Sequence, residues 1–523
     1  MRGLVAAPDT TCARGKQQIA GWRPGQLRVF PYLVSGYWLF PMPTKRHWRE
    51  NRMRASGPPE RHGVSMEESS AHGVLQDASE RAISYLQSVK NRSVIASPEA
   101  MRRLDELRHA LPQKGVDSIE VLRRLDEIGS PATVATAGGR YFGLVMGGAL
   151  PVTVAASWLA TAWDQNACFR WTSPIAATLE DVSLQWLRDL FGMPEGVAGA
   201  FVSGASMASL TGLASARHAL LSRLGWDVEA KGIYGAPELR VVVSEEVHVT
   251  VLKALSLLGL GRERVILVPT DRRGRLKVDS MPALDGRTIV CIQAGNVNTG
   301  DFDPAAEICL RARQAGAWVH VDGAFGLWAL ANRNFDVLTA GLAEADSWAT
   351  DGHKWLNVPY DSGIVLVRNA ADLRAAMSAN AAYLAEGAEE GREPSHYTPE
   401  SSRRARGVEI WAALLHLGRD GIAELVEQFC RLARQFADGL SSHGYEILND
   451  VVLNQVLVSF GSSEATRAVI DSLQAEGVCW CGGTSWQGRT AMRISVANWA
   501  TTETDVDLSI QAMVRAATGS PCV

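Results

Sequence analysis

Four short runs hold the residues that could do chemistry. In Ser347-Trp348-Ala349-Thr350-Asp351-Gly352-His353-Lys354-Trp355, a lysine lies between histidine and tryptophan just after a β-rich stretch. A lysine flanked by rings and withdrawn from water can have a lowered pKa and act as an amine nucleophile. The alternative is a surface lysine whose stem lies on apolar surface. Trp318-Val319-His320-Val321-Asp322-Gly323-Ala324 puts an acid at the end of a strand-like run. A buried carboxylate needs a partner, which a metal, an arginine or a protonated ring nitrogen could supply. His320 and Asp322 alternate and so share a face, but no third or fourth ligand stands out and no metal is expected. Phe201-Val202-Ser203-Gly204-Ala205-Ser206-Met207-Ala208-Ser209 joins a strand to a helix through small residues. Such a turn can hold a phosphate on backbone N–H groups and the helix N-terminus. It lacks both the G-K-[ST] of a Walker loop and the G-x-G-x-x-G of a dinucleotide site. Ser244-Glu245-Glu246-Val247-His248 adds an imidazole after another strand. A phosphate cradle, a flat imidazole, a buried acid and an activated lysine are together what pyridoxal phosphate requires.

The elements that must position these runs alternate. Residues 199–202, 239–243, 265–268, 288–293, 317–321, 347–350 and 363–367 read as strands, with helical stretches at 206–221, 249–259 and 309–314. This pattern predicts an α/β fold: a mostly parallel sheet with helices on both faces. Ligands of such sheets gather at the carboxyl ends of the strands, where all four runs lie. Upstream, 66–90, 98–111 and 119–128 have a helical pattern. Downstream, helices at 410–418 and 422–440 and strands at 445–447, 455–459 and 491–495 read as a smaller α+β domain. Residues 379–406 read as a long exposed loop, which in compact enzymes often serves as a lid.

Composition sets the outer bounds. The 523 residues are 46% hydrophobic and 21% charged, with a formal net charge of −4. That is an ordinary globular composition, which excludes fibrous repeats, disorder and small disulfide scaffolds. No membrane span is expected, since an uninterrupted apolar run of about 18 residues is lacking, and the charge gives no reason to expect nucleic acid. Residues 1–65 hold 11 Lys/Arg against 3 Asp/Glu, while the remainder holds 41 against 53. A targeting peptide is one reading of this basic extension; the preferred one takes it as lying outside the enzyme, translated from upstream of a natural start at Met66. The eight cysteines form no C-x-x-C pair and read as thiols in a reducing cytosol, so a cytoplasmic location is expected.

The motifs resemble those of the group II pyridoxal-phosphate-dependent amino-acid decarboxylases. This fold-type I family includes aromatic-L-amino-acid, glutamate and histidine decarboxylases. His320-Val321-Asp322-Gly323-Ala324 resembles its H-V-D-A-A, and Asp351-Gly352-His353-Lys354-Trp355 its [ND]-x-H-K-W. Ser203 to Ser209 resembles its phosphate loop, and Ser173-Pro174 with Leu179-Glu180 its S-P-x-x-x-x-L-E segment. The likeness runs from about residue 98 to 515.

The resemblance implies a large domain built on a seven-stranded, mostly parallel sheet. Its expected bounds are a helical, dimerising arm over 66–145, the cofactor domain over 146–411 and the small domain over 412–523. A homodimer with the active site at the subunit interface is implied. Lys354 would form the Schiff base and Asp322 would hold the pyridine nitrogen protonated. His248 would stack on the ring and Ala324 would pack on its other face. Ala205 and Ser206 would contact the phosphate, with Asn296 and Asp351 also at the cofactor. His353 would hold the cofactor or reach the substrate carboxylate. Tyr383, before Leu384, occupies the place of the family's catalytic loop tyrosine and would return a proton to Cα. Arg140, Tyr141 and Phe142 fall where the family lines its substrate pocket, and Phe325 and Trp328 follow the Asp322 strand. These rings favour an aromatic substrate, although core packing would also account for them, and Arg140 could receive an acidic side chain.

The chain departs from the family at Met207, Asn296, Gly323 and Glu409, where Glu, Thr, Ala and Lys are usual. The expected reaction is decarboxylation of an aromatic L-amino acid to its amine. Acidic or diamino substrates, and lyase or aldehyde-forming outcomes, are the alternatives. A remoter reading takes Gly204-Ala205-Ser206-Met207-Ala208 as a hydrolase elbow, with Ser206, Asp322 and His353 as a triad. It leaves Lys354 and His248 without a role.

Overall fold

The computed structural model describes residues 68–378 and 392–519. The extension 1–65 and Tyr383 lie outside the described residues.

Seven strands form the large sheet: β1 (Ala198–Val202), β2 (Arg240–Ser244), β3 (Ile266–Val268), β4 (Thr288–Gln293), β5 (Trp318–Asp322), β6 (Ser347–Asp351) and β7 (Gly363–Val367). Their order is β1-β7-β6-β5-β4-β2-β3. Only β7 runs against its neighbours. Six strands therefore bring their carboxyl ends to one edge. Strands covered on both faces read as continuous apolar runs, and every residue of β4, β5, β6 and β7 is buried. Val241, Val243, Ile289, Cys291 and Val365 face the helices Ala205–Arg223 and Val249–Leu257. Val242, Val290, Ile292, Val319 and Ile364 face the opposite core, where Pro174–Leu190 and Gly407–Ser442 pack.

The small sheet is antiparallel, ordered β10-β11-β9-β8, from β8 (Glu446–Ile447), β9 (Gln455–Ser459), β10 (Gly482–Trp486) and β11 (Arg489–Ser495). The helix expected over 98–111 ends at Arg103 and passes into a tighter turn, Leu104–Leu107. Pro112 disfavours helix at the residue before it, and Leu111 is 90% exposed, so no apolar face holds a continuation. The two helices expected at 410–418 and 422–440 are one run, Gly407–Ser442, broken at Gly418, where φ is 62°.

Candidate active site

Gly363 brings the edge together. It opposes both Val202 and Asp351, and a Cβ there would lie 2.4 Å from the Cα of Gly204. That close approach sets the N-terminus of helix Ala205–Arg223 against the end of β6. The Ala205 N–H donates to Asp351 Oδ1 at 2.5 Å, and Asp351 Oδ2 pairs with Lys354 Nζ at 3.1 Å. His353 Nδ1 accepts the Ser362 N–H at 3.0 Å. A neutral His353 ring therefore carries its proton on Nε2, which lies 3.6 Å from Asp351 Oδ1. Burial pushes the His353 pKa down, opposed by Asp351. Trp328 anchors this turn by donating Nε1–H to the Asp351 carbonyl at 3.0 Å.

One strand over, Asp322 ends β5. Its carboxylate is buried, and the Ala324 N–H reaches Oδ1 at 3.3 Å. Burial pushes its pKa up, opposed by His248 and Lys354. His248 follows β2 and caps helix Val249–Leu257, its Nδ1 lying 2.7 Å from Thr250 Oγ1. Burial lowers its pKa, with Asp322 opposing and Lys354 and Arg493 adding to the depression. On the same face as Asp322, His320 lies deeper, with Nδ1 2.8 Å from Ser347 Oγ. Gly212 makes room for it, since a Cβ there would be 3.1 Å from the ring.

These residues fit pyridoxal phosphate on structural grounds. Asp322 is a buried acid with one long hydrogen bond, suited to a protonated pyridine nitrogen. Ala324 is more accessible than Gly323 and Phe325 on either side, and offers a methyl floor. At the phosphate end, the Met207 and Ala208 N–H groups bond back to the Gly204 carbonyl, and the Ala205 N–H is taken by Asp351. The Ser206 N–H and exposed hydroxyl remain at the helix N-terminus, where an anion is favoured.

Other expected residues are placed differently. Asn296 Oδ1 accepts the N–H groups of Asn298 (2.8 Å) and Thr299 (3.1 Å) and so closes its own turn, while its Nδ2 is buried with no hydrogen-bond partner among the described residues. Arg140 donates to the carbonyls of Lys90 and Arg92 and lies 3.8 Å from Asp505, which leaves no fork for an acidic substrate. Phe142 is a core residue packed edge-on against Phe436, and Phe325 and Trp328 are buried. The hydrolase triad is not assembled. His353 is spent on Ser362 and Asp351, while Asp322 acts on His248 and Lys354. The segment around Glu180 is structural: this buried acid accepts from Arg403 at 2.6 Å and Arg392 at 2.9 Å. Burial would raise its pKa, but the two guanidiniums outweigh that and hold it low.

Tyr141 stacks on Trp480 with ring centroids 5.0 Å apart. Tyr360 lies over His353 at 4.2 Å. Tyr360 is half exposed, yet its phenol is pushed up to about 12, by desolvation first and then by Asp351 and Tyr141. Two ring pairs thus stand at the site, Trp480 with Tyr141 and Tyr360 with His353, and the Tyr141 phenol is near enough to act on that of Tyr360. Trp480, Tyr360 and Arg493 were missed in the sequence. Arg493 stands on β11 and has no ion pair among the described residues, its nearest polar contact being Asn298 Oδ1 at 3.5 Å. Burial pushes its pKa down. A charged residue inside the apolar run Ala491-Met492-Arg493-Ile494 was the available signal.

The sequence profile of the pyridoxal-dependent decarboxylase conserved domain matches residues 98–461. An aromatic-L-amino-acid decarboxylase of Bacillus atrophaeus is 24% identical over 455 residues, spanning 83% of this chain and 92% of that protein. An acidic amino acid decarboxylase of Bos taurus is 28% identical over 365 residues, 67% of this chain and 68% of its own. An L-2,4-diaminobutyrate decarboxylase of Acinetobacter baumannii is 25% identical over 332 residues, 60% of this chain and 64% of its own. Among solved structures, Oryza sativa TDC with PLP and tryptamine superposes with a TM-score of 0.80 at 22% identity, over 87% of this chain and 99% of that one. At that identity the likeness is one of fold.

Proposed function

The chain belongs to the pyridoxal-dependent decarboxylase family, pyridoxal-phosphate-dependent carboxy-lyases of amino acids, and from that premise we propose that its substrate is an aromatic L-amino acid, converted to its amine and carbon dioxide. The observation that carries this reading is the two ring pairs Trp480–Tyr141 and Tyr360–His353, the second adjoining Lys354 in the chain. Flat side chains in a partly desolvated wall reward a flat apolar partner.

When bound, pyridoxal phosphate withdraws the electrons left at Cα as carbon dioxide departs. The protein's residues do the rest. Lys354 would hold the cofactor through its amine and give up that place to the substrate amine. Asp322 would keep the pyridine nitrogen protonated, because its own buried charge is favoured only beside a cation. His248 and Ala324 would hold the ring, while Ser206 and the helix N-terminus would take the phosphate. Asp351 orders the edge by linking Ala205, His353 and Lys354. Tyr383, assigned by resemblance alone, supplies the proton that returns to Cα.

A second reading, an acidic substrate, is favoured by Arg493, a partly buried cation without a carboxylate. An acidic amino acid carries two carboxylates, and Arg140, the other candidate cation, is already engaged. The test is amine and carbon dioxide formation from a panel of aromatic, acidic and diamino acids. Turnover of glutamate or aspartate, with none of tryptophan, tyrosine or phenylalanine, would refute the aromatic reading.

We also assign 66–145 as an arm, 146–411 as the cofactor domain and 412–523 as the small domain, in a homodimer. Among the described residues no helix is long and apolar enough to cross a membrane. Leu75 (72%), Trp158 (43%) and Leu159 (55%) nevertheless leave apolar surface exposed on the arm and on helix Pro151–Trp163. Such patches mark interaction sites. Sedimentation as a monomer at micromolar concentration would refute the dimer.

A further inference from the structure

Asn357 lies three residues after Lys354, fully buried, with φ at 54°. Asparagine is among the few residues that accept this left-handed conformation. Its carboxamide is saturated. Oδ1 accepts the N–H groups of Gly148 at 3.0 Å and Trp499 at 2.9 Å. Nδ2, which has two hydrogens, lies within hydrogen-bonding distance of three carbonyls, those of Lys354 at 3.0 Å, Trp355 at 3.2 Å and Ala497 at 3.0 Å, so two of them share one hydrogen. Its backbone carbonyl also accepts the Leu150 N–H at 2.8 Å.

The surroundings are as close. A Cβ on Gly147 would lie 2.0 Å from the Lys354 carbonyl oxygen, and one on Gly148 would lie 2.4 Å from Asn498 Oδ1. Asn498 in turn donates to the carbonyls of Thr136 and Gly138, both at 3.1 Å. The backbone of Lys354 is thus tied through one carboxamide to the 147–150 segment and to the small domain.

We propose that Asn357 is the positioning residue for Lys354, fixing the lysine backbone to the small domain so that the amine returns to the cofactor in each turnover. This rests on Lys354 being the lysine that carries pyridoxal phosphate. Each turnover breaks the Lys354 Nζ bond to the cofactor as the substrate amine takes its place. The bond is remade as the product amine leaves, protons passing between the two amines with no net redox change. Between these events the Lys354 side chain is free. Where its amine can reach is then set by its backbone, and Asn357 holds the carbonyl of that residue.

The test uses the holoenzyme and two variants. Asn357→Gly keeps the left-handed backbone and deletes the carboxamide. Asn357→Asp keeps the acceptor for Gly148 and Trp499 and loses the donor to Lys354. Three quantities are read per folded molecule: pyridoxal phosphate retained on dialysis, the fraction trapped on Lys354 by borohydride, and kcat with KM. Retention should stay near wild type, because the phosphate and pyridine contacts lie on other elements. In both variants the trapped fraction should fall, and kcat should fall by about 10- to 100-fold with KM little changed, the scale of a misplaced reacting group. If Asn357→Gly does not fold, Asn357→Asp carries the test.

A lower unfolding temperature with wild-type trapping and kcat would overturn the proposal, since Asn357 would then be structural only. Wild-type kcat in Asn357→Asp would overturn it too, because the bond to the Lys354 carbonyl would not matter. A wild type in which no lysine is trapped would overturn the underlying reading and, with it, this one.

Discussion

Replacing Asp322 by asparagine should stabilise the cofactor-free enzyme while abolishing turnover by the loaded one. The carboxylate is 7% exposed and receives one hydrogen bond, from the Ala324 N–H at 3.3 Å. An asparagine oxygen can keep that bond. Burial raises the Asp322 pKa, against the pull of His248 and Lys354. A folded-state pKa above the unfolded value means that the folded protein holds the proton more tightly. The stability this contributes is present below the unfolded pKa and is lost as pH rises through the folded one. Asparagine does not titrate, so the variant should gain on wild type as pH rises.

A buried polar group short of partners costs about 1–3 kcal/mol. Attraction from His248 and Lys354 offsets part of that. One kcal/mol moves Tm by about 2–4 °C in a domain of 150–250 residues, so a shift of that size or slightly less is expected. The assay is scanning fluorimetry of both cofactor-free proteins between about pH 5 and pH 8, repeated with pyridoxal phosphate added. Added cofactor should raise the Tm of wild type more than that of the variant. A cofactor-free variant less stable than wild type at neutral pH would show that Asp322 is already satisfied by the protein, and the argument from its missing partner would fail.

Lys354→Ala should remove the visible band of the lysine-linked cofactor and all turnover while leaving the thermal unfolding transition in place; a variant that keeps the band refutes the assignment. His320 is buried, and its pKa is pushed down to about 3. Its contribution is therefore complete above the unfolded value of about 6.5 and is lost as pH falls below it. Tm should drop on acidification more steeply in wild type than in His320→Gln, and equal slopes would exclude the effect. Tyr383→Phe should lower amine formation by about 100- to 10,000-fold, the range for a positioned proton donor, while carbon dioxide release falls less and aldehyde appears; amine at the wild-type rate would refute the role. Deleting residues 1–65 should leave kcat/KM unchanged, and loss of activity would place that segment in the enzyme.

The edge of the large sheet was legible because its logic is local. A strand buried on both faces shows as an unbroken apolar run, and the residue that ends it is the one presented at the edge. Asp322 and Asp351 each end a strand, while His248 and Lys354 follow three or four residues after one. Which way a side chain turns in irregular backbone is not legible in the same way. Arg140 precedes Tyr141, whose isolated bridge to Trp480 sends the ring toward that indole, while Arg140 turns to Asp505 and the arm. Asn296 reads as a polar residue after a strand, but its amide oxygen satisfies two N–H groups of its own turn.

The residues that were missed come from segments far apart in sequence. Tyr360 follows Lys354 by a few residues, whereas Trp480 and Arg493 belong to the small domain. No spacing rule links them, because the long helix Gly407–Ser442 lies between them in the chain. Cofactor chemistry and substrate choice are therefore written differently in this chain. On the proposed reading the chemistry would sit at strand ends, where a change such as Asp322→Asn is expected to remove turnover and to show in a motif. On the same reading substrate choice would rest on contacts such as Tyr141 on Trp480, between segments far apart in sequence. Exchanging Trp480 should accordingly move the ranking of amino-acid substrates while leaving the cofactor band intact.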